Sequence, residues 1–264
     1  YYGARYMNPR LSIWYATDNL QEKKQHISTY AYCSDNPITR LDPSGEFDFE
    51  GSIDYFRQYP VIAIFPSDLT DHNGALKMDY EAAKSAGVPL IRVDNTADFA
   101  SALSELQKMF TSADTYAINS HGGHGSFPSL AYFSIGNEQV NCETDFSSLI
   151  NGLKGHNVFI GACEVGTYFG LGDELVKKIA QQTQSRVIAP NHKVFAGYEY
   201  DGSLNLNYSK YDVYQNEYMM SKNGQEIQFI QNVTIDKKLG INWDTYFYDT
   251  MMDIFNLNYN FLNF

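Results

Sequence analysis

With 264 residues, 44% of them hydrophobic and 15% aromatic, the chain can build one large core, or a domain of about 200 residues with an appendage, without disulfide or metal staples. Its 31 acidic residues outnumber 19 basic ones for a formal net charge of −12, and no Lys/Arg run exceeds two residues. Nucleic acid and anionic membranes, whose binders carry basic stripes, are therefore discounted as partners.

Cys33, Cys142 and Cys163 are too few and too scattered for a disulfide framework, and the odd count leaves at least one thiol. No apolar run approaches the about 18 residues needed to span a bilayer, and no charged-then-apolar signal segment is present. A chain that opens at Tyr1-Tyr2-Gly3 instead of methionine reads as a piece of a longer polypeptide, so a targeting signal would lie outside it.

Residues 1–45 have no helical period and are punctuated by Asn-Pro, Asp-Asn, Asp-Pro and Ser-Gly turn signals. They predict short aromatic strands and turns, followed by a linker over 46–59. From residue 60 strands and helices alternate. "VIAIF" (61–65) is a continuous apolar run and predicts a buried strand. The helix 74–87 follows, with Ala75, Met78, Ala82 and Ala83 at three-to-four spacing and Gly87 as its stop. Next come a strand over 89–93, a helix over 97–110 with Phe99, Leu103, Leu106 and Phe110 on one face, and a strand over 115–119.

That last strand runs into "YAINSHGGHGSF" (116–127), where apolar residues end abruptly in two His-Gly pairs. "LAYFSIGNEQV" (130–140) predicts a hairpin turning at Gly136-Asn137. "NVFIGACEVG" (157–166) predicts another strand, ending at Cys163 among small residues, before a helix over 172–184 and a strand over 186–190. Residues 196–264 are Tyr- and Asn-rich, with strands and a late aromatic helix over 243–255. The βαβ rhythm of residues 60–195 predicts an α/β fold with a mostly parallel central sheet and right-handed crossovers.

Ligands of open α/β sheets collect outside the carboxyl ends of parallel strands, and both motifs sit at such ends. A cysteine nucleophile needs a thiolate, which a neighbouring imidazole stabilises or deprotonates. Acyl transfer further needs backbone N–H groups aimed at the developing oxyanion, which glycine-rich turns can bring close. His121 with Gly122 and Gly123, and Gly161-Ala162 before Cys163, meet those needs. Other readings stay open: Cys163 as an inert small hydrophobe, His121, His124 and Cys163 as the start of a zinc site lacking a fourth ligand, and "GGHG" as a phosphate loop without its lysine and hydroxyl. His124 is the alternative to His121, whereas His72, His156 and His192 fall in predicted turns and read as solvated.

Two resemblances attach to these residues. Tyr-Tyr-Gly-Ala-Arg-Tyr (1–6), Asn-Pro-Arg-Leu (8–11), Tyr-Ala-Tyr-Cys (30–33) with Asn36-Pro37, and Asp42-Pro43-Ser44-Gly45 resemble the core-associated segment of RHS and YD-repeat proteins. That likeness implies a shell of repeats ending at this segment, with a variable, often toxic, domain after it. It also implies that Asp18 and Asp42 correspond to the paired aspartates with which some members cut themselves. Here Asp18 precedes Asn19 where a proline is usual, and Gly45 precedes Glu46 where leucine often marks the cut, so a turn-forming role for both aspartates is the alternative.

Over about residues 60–195, Ser120-His121-Gly122, the hairpin, and Gly161-Ala162-Cys163 with Gly166 behind it resemble the caspase-like cysteine peptidases: caspases, metacaspases, gingipain, clostripain and toxin self-cleaving domains. The resemblance implies a three-layer α/β/α domain over 60–264, with His121 as general base or imidazolium partner and Cys163 as nucleophile. The N–H groups of Gly122 and Cys163 become the oxyanion donors, and no metal or organic cofactor takes part. Expected partners are a protein or peptide substrate, the parent RHS polypeptide itself, and an immunity protein, in a secreted or delivered effector. Gly161 stands where several relatives place a Gln or Asp that lines the primary pocket, so no specificity carries over. Glu164 or Asp173 could favour Lys/Arg substrates, or could be surface and helix-start carboxylates. The rivals to a peptidase are a thiol amidase or acyl transferase on the same two residues, and a non-catalytic binding module with a decayed site.

Overall fold

The computed structural model describes residues 1–2, 4–19, 21, 27–42, 45, 49–70, 74–108, 113–123, 129–167, 169–191, 194–198, 204–208, 218–236 and 239–245. Phe110 and residues 246–255 of the late helix expected from the sequence lie outside them.

The N-terminal segment is built from turns and two-residue strands: β1 (Met7–Asn8) pairs with β2 (Ile13–Trp14), and β3 (Arg40–Leu41) with β4 (Phe49–Glu50). Its centre is Arg5, 3% exposed, whose guanidinium stacks 4.4 Å from the Trp14 ring and pairs with Asp18 at 3.2 Å and Asp42 at 3.4 Å. Two carboxylates this deeply buried require such a counter-ion, because an unpaired charge there would cost several kcal/mol. The stretch expected as a linker carries β4 and the helix α1 (Ile53–Gln58), started by the Ser52 side chain accepting from the Tyr55 N–H; Phe49 and Phe56 enter the main core.

A mixed α/β unit follows, around a large central sheet. Its parallel strands are β5 (Val61–Pro66), β6 (Leu90–Val93), β7 (Thr115–Asn119), β11 (Asn157–Gly161) and β12 (Arg186–Pro190), in the spatial order β12-β11-β7-β5-β6. Alternation sends Ile62, Ile64, Tyr116, Ile118, Val158 and Ile160 to one face, and Val61, Ala63, Phe65, Ala117 and Phe159 to the other. The first face is covered by α1, α3 (Thr96–Lys108), α4 (Ser147–Leu153) and α5 (Gly172–Thr183); the second by α2 (Ala75–Ser85). Phe99, Leu103 and Leu106 of α3 point inward as their spacing requires. In α2 the buried stripe is Leu76, Asp79, Tyr80 and Ala83, while Met78 is 70% exposed, so the expected face through Ala75 and Met78 is corrected. The bulky Leu76 and Tyr80 set the rotation of the helix.

Between β7 and β11 the chain forms the small antiparallel sheet β10-β9-β8, made of β8 (Gly122–Gly123), β9 (Tyr132–Ile135) and β10 (Glu138–Asn141). The β9–β10 hairpin is the one expected from "LAYFSIGNEQV". Its turn docks on the β6–α3 junction: the Asn137 N–H donates to the Asp94 carbonyl at 3.0 Å, and Glu138 accepts from the Thr96 N–H at 2.9 Å, capping α3. Beyond β12 the sheet continues antiparallel through β15 (Tyr218–Lys222) to β16 (Gln228–Asp236), which also pairs with β14 (Leu204–Tyr208) and β17 (Gly240–Thr245); β13 (Val194–Tyr198) pairs with β14. Residues 243–245 thus belong to a strand, a correction to the helix expected to begin at 243: Ile241 and Trp243, at strand spacing, pack onto the α2-side core.

Two glycines separate backbone strain from steric conflict. A Cβ at Gly136 (φ +60°) would lie 2.0 Å from the Asp94 carbonyl oxygen, whereas one at Gly155 (φ +81°) would meet nothing within 4 Å. Gly136→Ala is expected to cost about 2–4 kcal/mol, from left-handed strain plus the collision, and Gly155→Ala only about 1 kcal/mol. Urea melts check this as a larger fall in midpoint for Gly136→Ala.

Candidate active site

β7 and β11 lie side by side with Thr115 facing Asn157 and Asn119 facing Gly161. The ladder continues one step past the strands, the Ser120 N–H donating to the Gly161 carbonyl at 3.3 Å. His121 and Cys163 each follow the last facing pair, Asn119 and Gly161, by two residues, at the carboxyl edge of the sheet. The chain runs from β5 out to β6 and then back across to β7, β11 and β12, so the topological switch falls between β5 and β7, beside His121.

The two strand ends touch through bare backbone. A Cβ at Gly122 would lie 2.8 Å from the Ala162 Cβ, 2.8 Å from the Cys163 carbonyl oxygen and 2.9 Å from the Tyr132 carbonyl oxygen, so only glycine fits there. The Ser134 N–H donates to the His121 carbonyl at 2.9 Å, and Gly122 faces Phe133 in the next register position. Antiparallel alternation then turns the Gly122 N–H away from β9, toward the outer edge of β8. His121 is exposed, Cys163 half-buried, and Ala162 1% exposed.

Behind Cys163 the chain turns sharply. Glu164 has φ +58°, in the left-handed region that a glutamate rarely occupies. The Gly166 N–H donates to the Pro190 carbonyl at 2.8 Å, and a Cβ at Gly166 would lie 2.5 Å from the Ala189 carbonyl oxygen. The Asp173 N–H donates to the Thr167 carbonyl at 3.1 Å, so the positive pole of α5 lies at the same sheet edge as the thiol, an arrangement that favours negative charge nearby. Asp173 itself lies 3.7 Å from Lys177, whose ammonium burial works to lower but which Glu226, Glu174 and Asp173 together hold above its ordinary value.

The other expected residues are elsewhere. His156 is at the amino edge of the sheet, half-buried, with Nδ1 2.9 Å from the Ala113 carbonyl and its ring against Tyr116, a correction to its reading as a solvated turn residue: the ring closes the end of the core. His72, His124 and His192 lie outside the described residues. Cys33 is buried at 1% exposure beside the Arg5 cluster, and Cys142, half-buried, follows directly after β10. Asp18 and Asp42 do meet, on either side of Arg5, and the Gly45 N–H donates to Asp42 Oδ1 at 2.7 Å. Arg5 was visible in the first quoted motif, but nothing in sequence spacing joins it to residues 18 and 42. Lys178 was also missed: its Nζ donates to the Cys142 and Thr144 carbonyls at 2.6 and 3.0 Å and sits over Phe146, tying the exit of the hairpin to α5. Among the described residues no group of three or more His, Cys, Asp or Glu side chains converges on a metal position, and no helix is long and apolar enough to cross a membrane.

No protein-family model matches the chain, and no curated protein matches it.

The thiols should respond differently to alkylation. Burial, and then Glu143, push the Cys142 thiol up, so at any pH below its midpoint it carries less thiolate than an exposed cysteine. In a Cys163→Ser variant, iodoacetamide is expected to label Cys142 with a rate–pH midpoint above that of an exposed thiol, and to leave Cys33 unlabelled until denaturant is added. Mass spectrometry of the alkylated peptides across pH 7–10 checks both.

Proposed function

We propose that this chain is a cysteine endopeptidase of the caspase-like type, carried as the payload or self-processing domain behind an RHS-type segment. The observation that carries the reading is the shared register of β7 and β11, whose last facing pair, Asn119 and Gly161, stands two residues before His121 and Cys163. Supporting it are the glycine contact between the two turns, the hairpin between the two strands, and helices on both faces of the parallel strands, the layering that the caspase-like resemblance implies.

In the reaction, His121 takes the Cys163 proton and the thiolate attacks the substrate carbonyl carbon. A C–S bond forms, and the displaced electron pair moves onto oxygen, where the Gly122 and Cys163 N–H groups receive it. On collapse the C–N bond breaks, and the leaving amine takes the proton that His121 held. Water, deprotonated by His121, then attacks the thioester. The C–S bond breaks, releasing a carboxylic acid and restoring the thiol. Among the described residues β8 is the last strand of its sheet, and an extended substrate backbone would pair along it. A target protein and the parent polypeptide would use the same centre.

Cys163→Ala and His121→Ala are each expected to lower kcat/KM on a cleaved peptide by about 10³-fold or more, as for other nucleophile–base pairs. Iodoacetamide is expected to label Cys163 ahead of Cys142 and Cys33, with that preference lost in His121→Ala. Unchanged turnover in Cys163→Ala would remove the proposal. Hydrolysis of small amides without cleavage of any peptide would replace the endopeptidase by a thiol amidase.

A further inference from the structure

The N-terminal segment and the candidate nucleophile belong to opposite edges of the central sheet. The segment joins the α/β unit at the amino edge: the Pro60 carbonyl accepts from the Asp114 and Thr115 N–H groups at 2.9 and 3.0 Å, where β7 begins. β4 is at that edge too, since Glu50 lies 3.6 Å from Lys84 in the last turn of α2, just before the chain re-enters the sheet as β6. His121 and Cys163 follow the other ends of their strands. From Thr115 to His121 is six residues, about 20 Å at the rise of an extended chain.

The stretch that joins the segment to the sheet is tied down by its neighbours. Gly45 is held at both polar groups, its N–H donating to Asp42 Oδ1 at 2.7 Å and its carbonyl accepting from Arg5 Nε. Phe49 is buried and faces Leu41 across the β3–β4 ladder, and the Gly51 N–H donates to the Thr39 carbonyl at 2.7 Å. Phe56 of α1, also buried, meets the Phe49 ring edge-on with centres 5.5 Å apart. Gly45 and Phe49 are four Cα steps apart, so no residue between them can stray more than about 8 Å from one of these two anchors. To bring this stretch to Cys163, both phenylalanines would have to leave the core.

We infer that Cys163 cannot cut the junction of its own molecule, and that any cut this centre makes there is made by a second copy of the chain. The inference rests on the peptidase reading above and narrows the two uses left open there. A tether too short to span its two sites gives an effective concentration near zero, however favourable the chemistry at either end. A separate molecule has no such limit. Release of the peptidase from the segment that carries it therefore depends on how many copies are gathered in one place, and in dilute solution the two stay joined.

The test starts from a short peptide that the intact 264-residue chain cleaves and writes its cleaved tripeptide in place of residues 46–48, keeping the length. Cleavage of the free peptide by the altered chain reports that its centre is intact. With a tag at the N-terminus, the fractional rate of tag loss is expected to fall in proportion to dilution, and an untagged active copy is expected to cut a tagged Cys163→Ala chain. A second version carries about 30 Gly/Ser residues on each side of the tripeptide, each arm spanning about 30 Å, and its tag loss should not change with dilution. A short junction that stays whole beside a widened one that is cut gives the same answer. Loss of the tag from the short junction at a rate independent of dilution, abolished by Cys163→Ala, overturns the inference and leaves the peptidase standing. So does a widened junction cut no faster than the short one in dilute solution, since reach would then not be what protects it. Cleavage of no peptide, with Cys163 labelled no faster than Cys142, overturns the peptidase reading and this inference with it.

Discussion

The candidate site depends on one constraint, the register between two parallel strands. β7 and β11 are buried on both faces, so slippage is resisted by shape and not by exposure. On the α2 side Ala63 and Ala117 stand beside Phe159; on the other side Tyr116 and Ile118 stand beside Val158 and Ile160. A one-residue shift of β7 would exchange the alanine position for a tyrosine or isoleucine and leave holes opposite, each fault costing about 1–5 kcal/mol. The contact of Gly122 with Ala162 and the Cys163 carbonyl adds a second lock beyond the strands. Two strand ends far apart in sequence are thus set side by side by hydrocarbon packing that takes no part in chemistry.

The parts legible in the sequence are those whose burial is continuous. "VIAIF", "TYAIN" and "RVIAP" coincide with β5, β7 and β12 to within one residue because a strand covered on both faces has no polar side to blur its limits. The hairpin was legible from Gly136-Asn137. What escaped depends on tertiary neighbours. α1 and α4, of six and seven residues, are too short to show a period. The α2 stripe was misplaced because alanines mark a helix face weakly, whereas Tyr80 and Leu76 decide it once Phe65 and the sheet are present. Over residues 243–245, strand pairing to β16 prevailed over an apparent helical pattern.

The site itself was half legible. His121 and Cys163 stand out because apolar runs end at small residues, and Gly122 because an unsubstituted backbone beside an imidazole is unusual. Glu164 was legible only as one of two carboxylates, with Asp173, open to a pocket or a surface role, since a left-handed φ leaves no mark in a string of letters. The Arg5 cluster was invisible for a related reason. Its members lie 13 and 37 residues from the arginine, and only folding shows that the aspartates share one cation.

The C-terminal extension, for which the sequence offered no role, bears on the same turn. β15 adds antiparallel to β12, and Met219 lies so close to Gly166 that a Cβ there would come within 3.1 Å of the Met219 Cβ. Gly166 is also held by the Pro190 carbonyl. The loop carrying Cys163 and Glu164 is therefore pressed from beneath by β12 and β15 and from behind by α5, where a Cβ at Gly172 would lie 2.3 Å from the Val165 carbonyl oxygen. A left-handed residue persists only where its surroundings over-determine it, and these contacts are that surrounding. Without β15 the parallel sheet would still hold β11 in register, but the turn that carries Cys163 and Glu164 would lose one of its walls.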